Sequence, residues 1–310
     1  DTCGGRPACV PACPTGTLAW IETSKLARRF GKPDPFTPGI GLCPGCAGEL
    51  GIRLTFKLIG EDAVVFAAPG CVCAIVTGLN ASATTRLPAV MGLMTNAPSL
   101  ATGVSRQLRR TGKRTRCVAF VGDGATADVG FQTLSGAAER RENIVYICYD
   151  NEGYMNTGVQ RSSTTQQGAR TTTTPVGRER RGKEQAAKDV PLLMAFHNAA
   201  YVATASVAFL DDYADKLERA LAVDDGLAYI HLYSPCHVGW GAPADSALEI
   251  ARRAVETRVF PLWEADHGHF RLTHPVRRPR PIADFARLMG RFRHLGAGEL
   301  EALGRAAEER

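Results

Sequence analysis

Residues 117–130, CVAFVGDGATADVG, decide how the chain is read. An apolar run ends at Gly122-Asp123-Gly124, and small residues at helical spacing follow. Glycine permits a tight turn and close approach of the backbone to a ligand. In open α/β sheets ligands bind beyond the carboxyl ends of the strands. The start of the next helix favours an anion there. A lone Gly-Asp-Gly is equally explained by an ordinary turn, so the rest of the chain must choose.

Outward from this point the pattern alternates. Residues 47–59 have helical periodicity, and DAVVFAA (62–68) reads as a buried strand. A helix is expected over 96–110, a strand at RCVAFVG (116–122), an amphipathic helix over 126–140 and a strand at NIVYICYD (143–150). After a polar stretch at 151–190 come VPLLMAFHNA, YVATASV, a helix at 210–222, the strand LAYIHLYS (227–234) and a helix at 244–257. The chain ends in an Arg/Glu-rich helix. This alternation predicts an α/β fold, a mostly parallel sheet with helices on both faces. A loop as long as 151–190 is uncommon and tends to be functional or disordered. Residues 1–20 form a compact Cys/Gly/Pro segment, 21–40 a linker, and 41–310 the α/β domain.

The totals bound the function. The 310 residues are 45% hydrophobic and 22% charged, ordinary for a soluble globular protein. No apolar run reaches the ~18–20 residues that cross a bilayer. The chain begins at Asp1 rather than Met, as a processed chain or fragment would, and no basic n-region precedes an apolar h-region. A cytoplasmic location without a membrane partner is expected. The net charge is +6, with arginines concentrated in 106–116, 170–182 and 277–293. These are solvated faces or attract anionic partners. No motif interleaves aromatics with them, so nucleic acid is not expected.

A second strand end gives Asp123 a purpose. YDNEGYMNTG (149–158) places Asn151 beyond the next strand. Mg²⁺ takes oxygens in octahedral geometry, one or two from carboxylates and more from phosphate. Adjacent parallel strands would offer the Asp123 carboxylate and Asn151 amide oxygen from one rim, with the Gly153 carbonyl completing the protein's share. Gly-Asp-Gly with Asn at this spacing is the thiamine diphosphate (ThDP) signature.

The segment GDGATADVGFQTLSGAAERRENIVYICYDNEGYMNTGVQRSSTT resembles the ThDP-binding segment of the beta subunit of pyruvate:ferredoxin oxidoreductase and its 2-oxoacid:ferredoxin relatives. The similarity runs from about residue 36 to 300 and includes LCPGC, NAPSLATGV, SPCHVGW and FARLMGRFRHL. It implies that Asp123, Asn151 and the Gly153 carbonyl hold Mg²⁺, and that Gly122 and Gly124 shape the diphosphate turn. Asn156 would lie near the thiazolium and the substrate; as a bare residue it reads equally as a cap or turn.

The implied reaction is coenzyme A-dependent oxidative decarboxylation of a 2-oxoacid, with electrons leaving singly for ferredoxin. Pyruvate is the first candidate; oxalate, phenylglyoxylate and branched-chain 2-oxoacids remain open. Activation of ThDP needs an acid, usually a Glu, and no candidate is visible in this chain. The acid is therefore expected from a partner, and the chain should be inactive alone. Alpha and gamma subunits, with delta in some assemblies, are the implied partners. Arg161 and Thr164 are local candidates for contacting the substrate carboxylate. A non-catalytic electron-transfer or scaffold subunit and a cluster-free ThDP lyase or synthase are the other classes.

Ten cysteines fall into groups. A cubane iron–sulfur cluster needs four thiolates. Cys43 and Cys46 in CPGC, Cys71 in APGCVCA and Cys236 in SPCHVGW are the [4Fe–4S] ligands that the resemblance implies, with Cys73 an alternative to Cys71. A zinc Cys₄ site is the chemical alternative. Cys117 and Cys148 sit inside apolar strands and read as core residues. The segment CGGRPACVPACPTG resembles part of a bacterial ferredoxin, but its Cys3, Cys9 and Cys13 are one short of a cubane set. The seven histidines show no H-x-x-H or H-E-x-x-H spacing. His237, beside Cys236, is the only one near a candidate site, and all are expected to be structural or exposed.

Overall fold

The structure, a computed structural model, describes residues 35–37, 39–76 and 84–308. Cys3, Cys9 and Cys13, the ferredoxin-like segment 1–20 and most of the linker 21–40 lie outside the described residues. The strands are β1 (Ala63–Ala67), β2 (Ala89–Met91), β3 (Arg116–Gly122), β4 (Val145–Asp150), β5 (Tyr201–Ser206), β6 (Ala228–Tyr233), β7 (Trp263–Asp266) and β8 (His269–Leu272). They form one sheet in the order β2-β1-β3-β4-β6-β5-β7-β8. The six from β2 to β5 are parallel, and β7 and β8 add an antiparallel edge.

Every residue of β4, β5 and β6 is buried. A strand covered on both faces has no polar side to show, so these segments read as nearly continuous apolar runs. The helices are α1 (Ala47–Ile59), α2 (Ala97–Arg110), α3 (Phe131–Glu139), α4 (Val190–Ala195), α5 (Leu210–Ala222), α6 (His237–Trp240), α7 (Ala247–Glu256), α8 (Ile282–Ala286) and α9 (Ala297–Glu308). Alternate side chains of β3 divide between two cores. Val118 and Phe120 join Phe56, Leu217 and Ile250 under α1, α5 and α7. Cys117, Ala119 and Val121 join Ala101, Leu134 and Met194 under α2, α3 and α4. None of the described helices is long and apolar enough to cross a membrane.

Two expectations need correction. The helix expected over 126–140 is broken: Gly124–Val129 is a π-helical turn, and α3 begins after Gly130. A Cβ at Gly130 would lie 2.2 Å from the Ala125 carbonyl oxygen and 2.8 Å from that of Met94, so only glycine allows this packing. Single π turns recur at functional sites, and this one follows Asp123 directly. The β7–β8 hairpin was not foreseen, because all four residues of β8 are exposed and supply no apolar signal.

The polar stretch 151–190 carries no helix before Val190, yet it is anchored. The buried Lys183 ammonium donates to the carbonyls of Ser163 (2.9 Å), Thr165 (2.6 Å) and Ala186 (3.2 Å). Hydroxyls do similar work: Thr165 donates to the Glu152 carbonyl at 2.7 Å and Thr172 to that of Gly158 at 2.8 Å. Short hydroxyl side chains bond readily to nearby backbone, so a Thr-rich segment can be fixed without a ladder.

Helix α1 brings the Cys43–Cys46 turn to the sheet. Cys46 is its N-cap, and its sulfur is 3.8 Å from the Tyr149 hydroxyl at the end of β4. The helix approaches closely because residue 48 is glycine. A Cβ at Gly48 would sit 2.3–2.6 Å from the Tyr149 ring. Gly48→Ala should therefore cost about 1–3 kcal/mol through overpacking. Urea unfolding of the two proteins would check this, and unchanged stability would show that α1 can move away from Tyr149.

Candidate active site

The register sets the site. Gly122 on β3 faces Tyr149 on β4, and Asp150 on β4 faces Tyr233 on β6. Asp123 and Asn151 thus emerge side by side from neighbouring parallel strands. A cavity of about 160 Å³ opens at this rim, and Gly122, Asp123, Gly124, Asn151, Gly153, Asn156 and Cys71 all line it. All six residues expected to bind cofactor are therefore brought together, with one of the cluster candidates.

Asn151, Asp123 and Gly153 converge. The Asn151 side-chain amide oxygen lies 2.8 Å from the Gly153 carbonyl oxygen and 3.0 Å from Asp123 Oδ1. Turned over, the amide nitrogen would donate to both. Unturned, three oxygens face one another, an arrangement that only a cation between them makes favourable. Beyond Asn151, Glu152 adopts φ +57°, the left-handed region. Such conformations cost about 1–3 kcal/mol and cluster at functional sites.

The rim glycines differ in cause. A Cβ at Gly124 would sit 2.4–2.8 Å from the Tyr154 ring, whose hydroxyl donates to the Gly124 carbonyl (3.1 Å) and Asp128 (3.0 Å). Asp128 also accepts from the Ser163 amide at 3.2 Å, tying the polar stretch to the turn. Gly122, by contrast, has nothing within 4 Å of a Cβ and lines the cavity. Its own neighbours do not require glycine.

Behind the rim is a buried polar network. Thr164 Oγ1 lies 3.0 Å from Asp123 Oδ2 and 2.9 Å from Asp150 Oδ1. Asp150 also meets His231 Nε2 at 2.8 Å, and His231 Nδ1 meets the Tyr229 hydroxyl at 2.7 Å. Burial, then the Asp150 charge, raises the Asp123 carboxyl well above the usual range. Burial opposes charge on His231, but Cys148 and Asp150 outweigh it and hold its pKa well up. Glu152 meets Arg291 at 2.6 Å, both fully buried. Burial pushes the Glu152 carboxyl up while Arg291 pulls it down. The Arg291 guanidinium lies 3.5 Å from the Trp240 ring centroid, and the Trp240 indole donates to the Asn151 carbonyl at 3.0 Å.

The cysteines gather at the same end of the sheet. Cys71 opens the 3-10 turn after β1. Cys236 caps α6 and accepts from the Gly239 amide at 3.3 Å. Burial first, then the charges of Cys236, Cys46 and Cys43, push the Cys71 thiol up to about 12. Burial also raises Cys236, with Cys46 and Cys43 contributing. Cys43 and Cys46 therefore lie near enough to act on both Cys71 and Cys236, although among the described residues no three His, Cys, Asp or Glu are gathered as around a single metal ion. Cys117 and Cys148 are core residues as expected.

Thr164 is buried between two carboxylates, which engages its hydroxyl there instead of at an open surface. Arg161 does not line the cavity. Asn156 lies exposed in the turn that the Tyr154–Gln160 bridge closes. His237 is buried, and its Nδ1 has no partner among the described residues. Sequence reading missed Asp150, Glu152, His231, Trp240 and Arg291. The first two flank Asn151 in YDNEG; the others come from distant segments and carry no local signal.

Residues 69–232 match the family described as thiamine pyrophosphate enzyme, C-terminal TPP binding domain. The beta subunit of NADH-dependent phenylglyoxylate dehydrogenase from Aromatoleum evansii is 47% identical over 315 residues, covering 100% of this chain and 70% of that one. Pyruvate synthase subunit PorB from Methanothermobacter marburgensis is 45% identical over 260 residues, covering 83% and 89%. The solved 2-oxoglutarate:ferredoxin oxidoreductase from Magnetococcus marinus shares the fold at a TM-score of 0.56 and 22% identity, over 72% of this chain and 81% of that one. The chain belongs to the thiamine-diphosphate-binding beta subunits of the 2-oxoacid:ferredoxin oxidoreductase family.

The cysteine environment has a chemical consequence. Thiolate is the reactive form, and a pKa raised from 9.0 to about 12 keeps Cys71 a thiol through neutral and mildly alkaline pH. In cluster-free protein at pH 8, iodoacetamide should modify the exposed Cys43 well before Cys71. Peptide mass spectrometry over time would show this order, and equal rates would contradict the buried setting of Cys71.

Proposed function

We propose that this chain is the ThDP-binding subunit of a 2-oxoacid:ferredoxin oxidoreductase, and that its strand-end cavity holds the diphosphate and Mg²⁺. The convergence of the Asn151 side-chain amide, the Asp123 carboxylate and the Gly153 carbonyl carries this reading. Their separations are 2.8 and 3.0 Å, and neighbouring ligands of an octahedral ion with ~2.1 Å bonds stand about 3 Å apart. Gly122 supports it, since open space where a Cβ would be suits a phosphate rather than a protein neighbour. Asp123, Asn151 and the Gly153 carbonyl would hold the metal, while Gly122 and Gly124 let the diphosphate approach.

Cys43, Cys46, Cys71 and Cys236 would hold a [4Fe–4S] cluster. The effect of Cys43 and Cys46 on the thiols of Cys71 and Cys236 supports this, and Cys71 is preferred to Cys73 because it lines the cavity. Each thiolate of a cubane binds its own iron, so the four need not gather as they would around one zinc. Bound here, ThDP supplies an electron sink for decarboxylation and the cluster takes electrons one at a time. The protein orients the metal ligands through Thr164 and Trp240. Asn156, exposed at the cavity, presents an amide to the substrate.

Among the described lining residues Asp123 is the only carboxylate. The acid that activates ThDP is therefore assigned to a partner, and the alpha and gamma subunits would complete the site. Coenzyme A is the acyl acceptor and ferredoxin the electron acceptor in this reading. The division into a ferredoxin-like segment (1–20), linker (21–40) and catalytic domain (41–310) belongs to the same proposal, as does a cytoplasmic setting, which suits seven described cysteines that are all free. Pyruvate is the first substrate. Phenylglyoxylate is the second reading, favoured by the relative that matches the whole chain, and turnover of the two acids by the co-expressed complex separates them.

Two variants of that complex test the site. Asp123→Ala should weaken Mg²⁺-dependent ThDP binding more than ~100-fold, beyond the usual loss from an outer-shell change; wild-type affinity would refute the metal reading. Cys46→Ala should abolish the cluster's electron paramagnetic resonance signal and lower the iron content, while an unchanged spectrum would remove Cys46 from the ligand set.

A further inference from the structure

Tyr149, the last residue but one of β4, lines the cofactor cavity. Its ring stacks on Phe120 with 6.0 Å between centroids, and its hydroxyl lies 3.8 Å from Cys46 Sγ. A Cβ at Gly48 would stand 2.4 Å from that hydroxyl oxygen, so the glycine two residues after Cys46 keeps open the space the oxygen occupies. Packing alone does not call for a hydroxyl here. The residue is buried, and a buried hydroxyl is costly without a partner. Elsewhere in the core, Tyr146, Tyr201, Tyr213 and Tyr229 each meet an oxygen or a nitrogen. The partner of Tyr149 is the sulfur of a candidate cluster ligand. Burial first, then the charges of Cys46 and Cys71, push the Tyr149 phenol well above its ordinary range; Asn151 lowers it and Cys236 adds to the rise. Three of the four candidate cluster cysteines therefore act on this one hydroxyl.

We propose that Tyr149 is a positioning residue for electron transfer: its phenol donates to Cys46 Sγ and raises the reduction potential of the [4Fe–4S] cluster. The inference rests on the four-cysteine reading above. While Cys46 is a thiol, either group can donate, and a thiol is a weak acceptor. A cluster ligand is a thiolate and has no proton to give, so the phenol becomes the only donor. Hydrogen bonds to an ionised acceptor are about twice as strong as neutral ones. Hydrogen bonds to the sulfurs are among the factors that set a cluster's potential. Reduction adds one negative charge, so a donor at a sulfur stabilises the reduced cluster more than the oxidised one. One electron enters the cluster, no bond forms or breaks at Tyr149, and the phenol keeps its proton. The Gly239 amide donates to Cys236 in the same way, but that donor is backbone, whereas a substitution can delete the one on Tyr149. One side chain thus touches both the cofactor cavity and a cluster ligand.

The test is Tyr149→Phe in the co-expressed complex, with the cluster potential read from a redox titration followed by electron paramagnetic resonance. Iron content and ThDP binding should match the wild type, because the ring and its stack on Phe120 remain. The equilibrium for cluster reduction should fall about tenfold, part of the worth of a hydrogen bond to a charged group; for one electron this is a drop of ~59 mV. Phe120→Leu alters the packing of the ring but keeps the hydroxyl, and should move the potential far less. With 3-fluorotyrosine at position 149 the phenol is more acidic and a stronger donor, so the potential should rise. An unchanged potential in Tyr149→Phe with the cluster intact would overturn the proposal. An equal fall in Phe120→Leu would also do so, by making packing the cause. If Tyr149→Phe assembles without its cluster, the fluorinated protein decides, and a potential that falls or stays put there counts against the donor. An iron-free wild-type complex would instead refute the cluster reading itself, so the two failures are told apart.

Discussion

Three carboxylates buried at the ends of parallel strands set the terms for the rest of the molecule. Asp123, Asp150 and Glu152 are 1%, 3% and 1% exposed. Removing such charges from water is expensive unless each finds a partner. Glu152 has Arg291 and Asp150 has His231. Asp123 has the Thr164 hydroxyl but no cationic side chain among the described residues. The protein gives Asp150 and Glu152 cationic partners and leaves Asp123 with a hydroxyl.

Meeting those requirements draws distant parts of the chain to one rim. Thr164 comes from the polar stretch, which Lys183 pins through three carbonyls. Arg291 comes from the segment before α9 and lies on the face of Trp240. Trp240 in turn fixes the Asn151 carbonyl and ends the short helix that Cys236 caps. A candidate cluster ligand and a candidate metal ligand are thus joined through one indole. Displacing either end would be felt at the other, because packed interiors transmit strain.

Much of the site was legible in order along the chain. Gly122-Asp123-Gly124 and Asn151 stand directly after apolar runs, and strand ends are where an α/β sheet places ligands. The element boundaries agree well wherever burial on both faces wrote a long apolar run, as in β3, β4 and β6. Agreement fails where packing of a distant backbone matters. Gly130 reads as one small residue in a helix, but the Ala125 and Met94 carbonyls make it the break between a π turn and α3. The exposed edge strand β8 is missed for the opposite reason, since nothing buried marks it.

By itself the sequence determined the parallel α/β sheet and the strand-end positions of Asp123 and Asn151. These are local: a period, a turn and a residue type suffice to state them. Tertiary structure alone decided which charges face which. Arg291 and Glu152 are separated by over a hundred residues, and Trp240 by 89 from the carbonyl it binds. No spacing encodes such a contact. It exists because burying a carboxylate requires a partner, and the fold supplies whichever side chain it brings within reach.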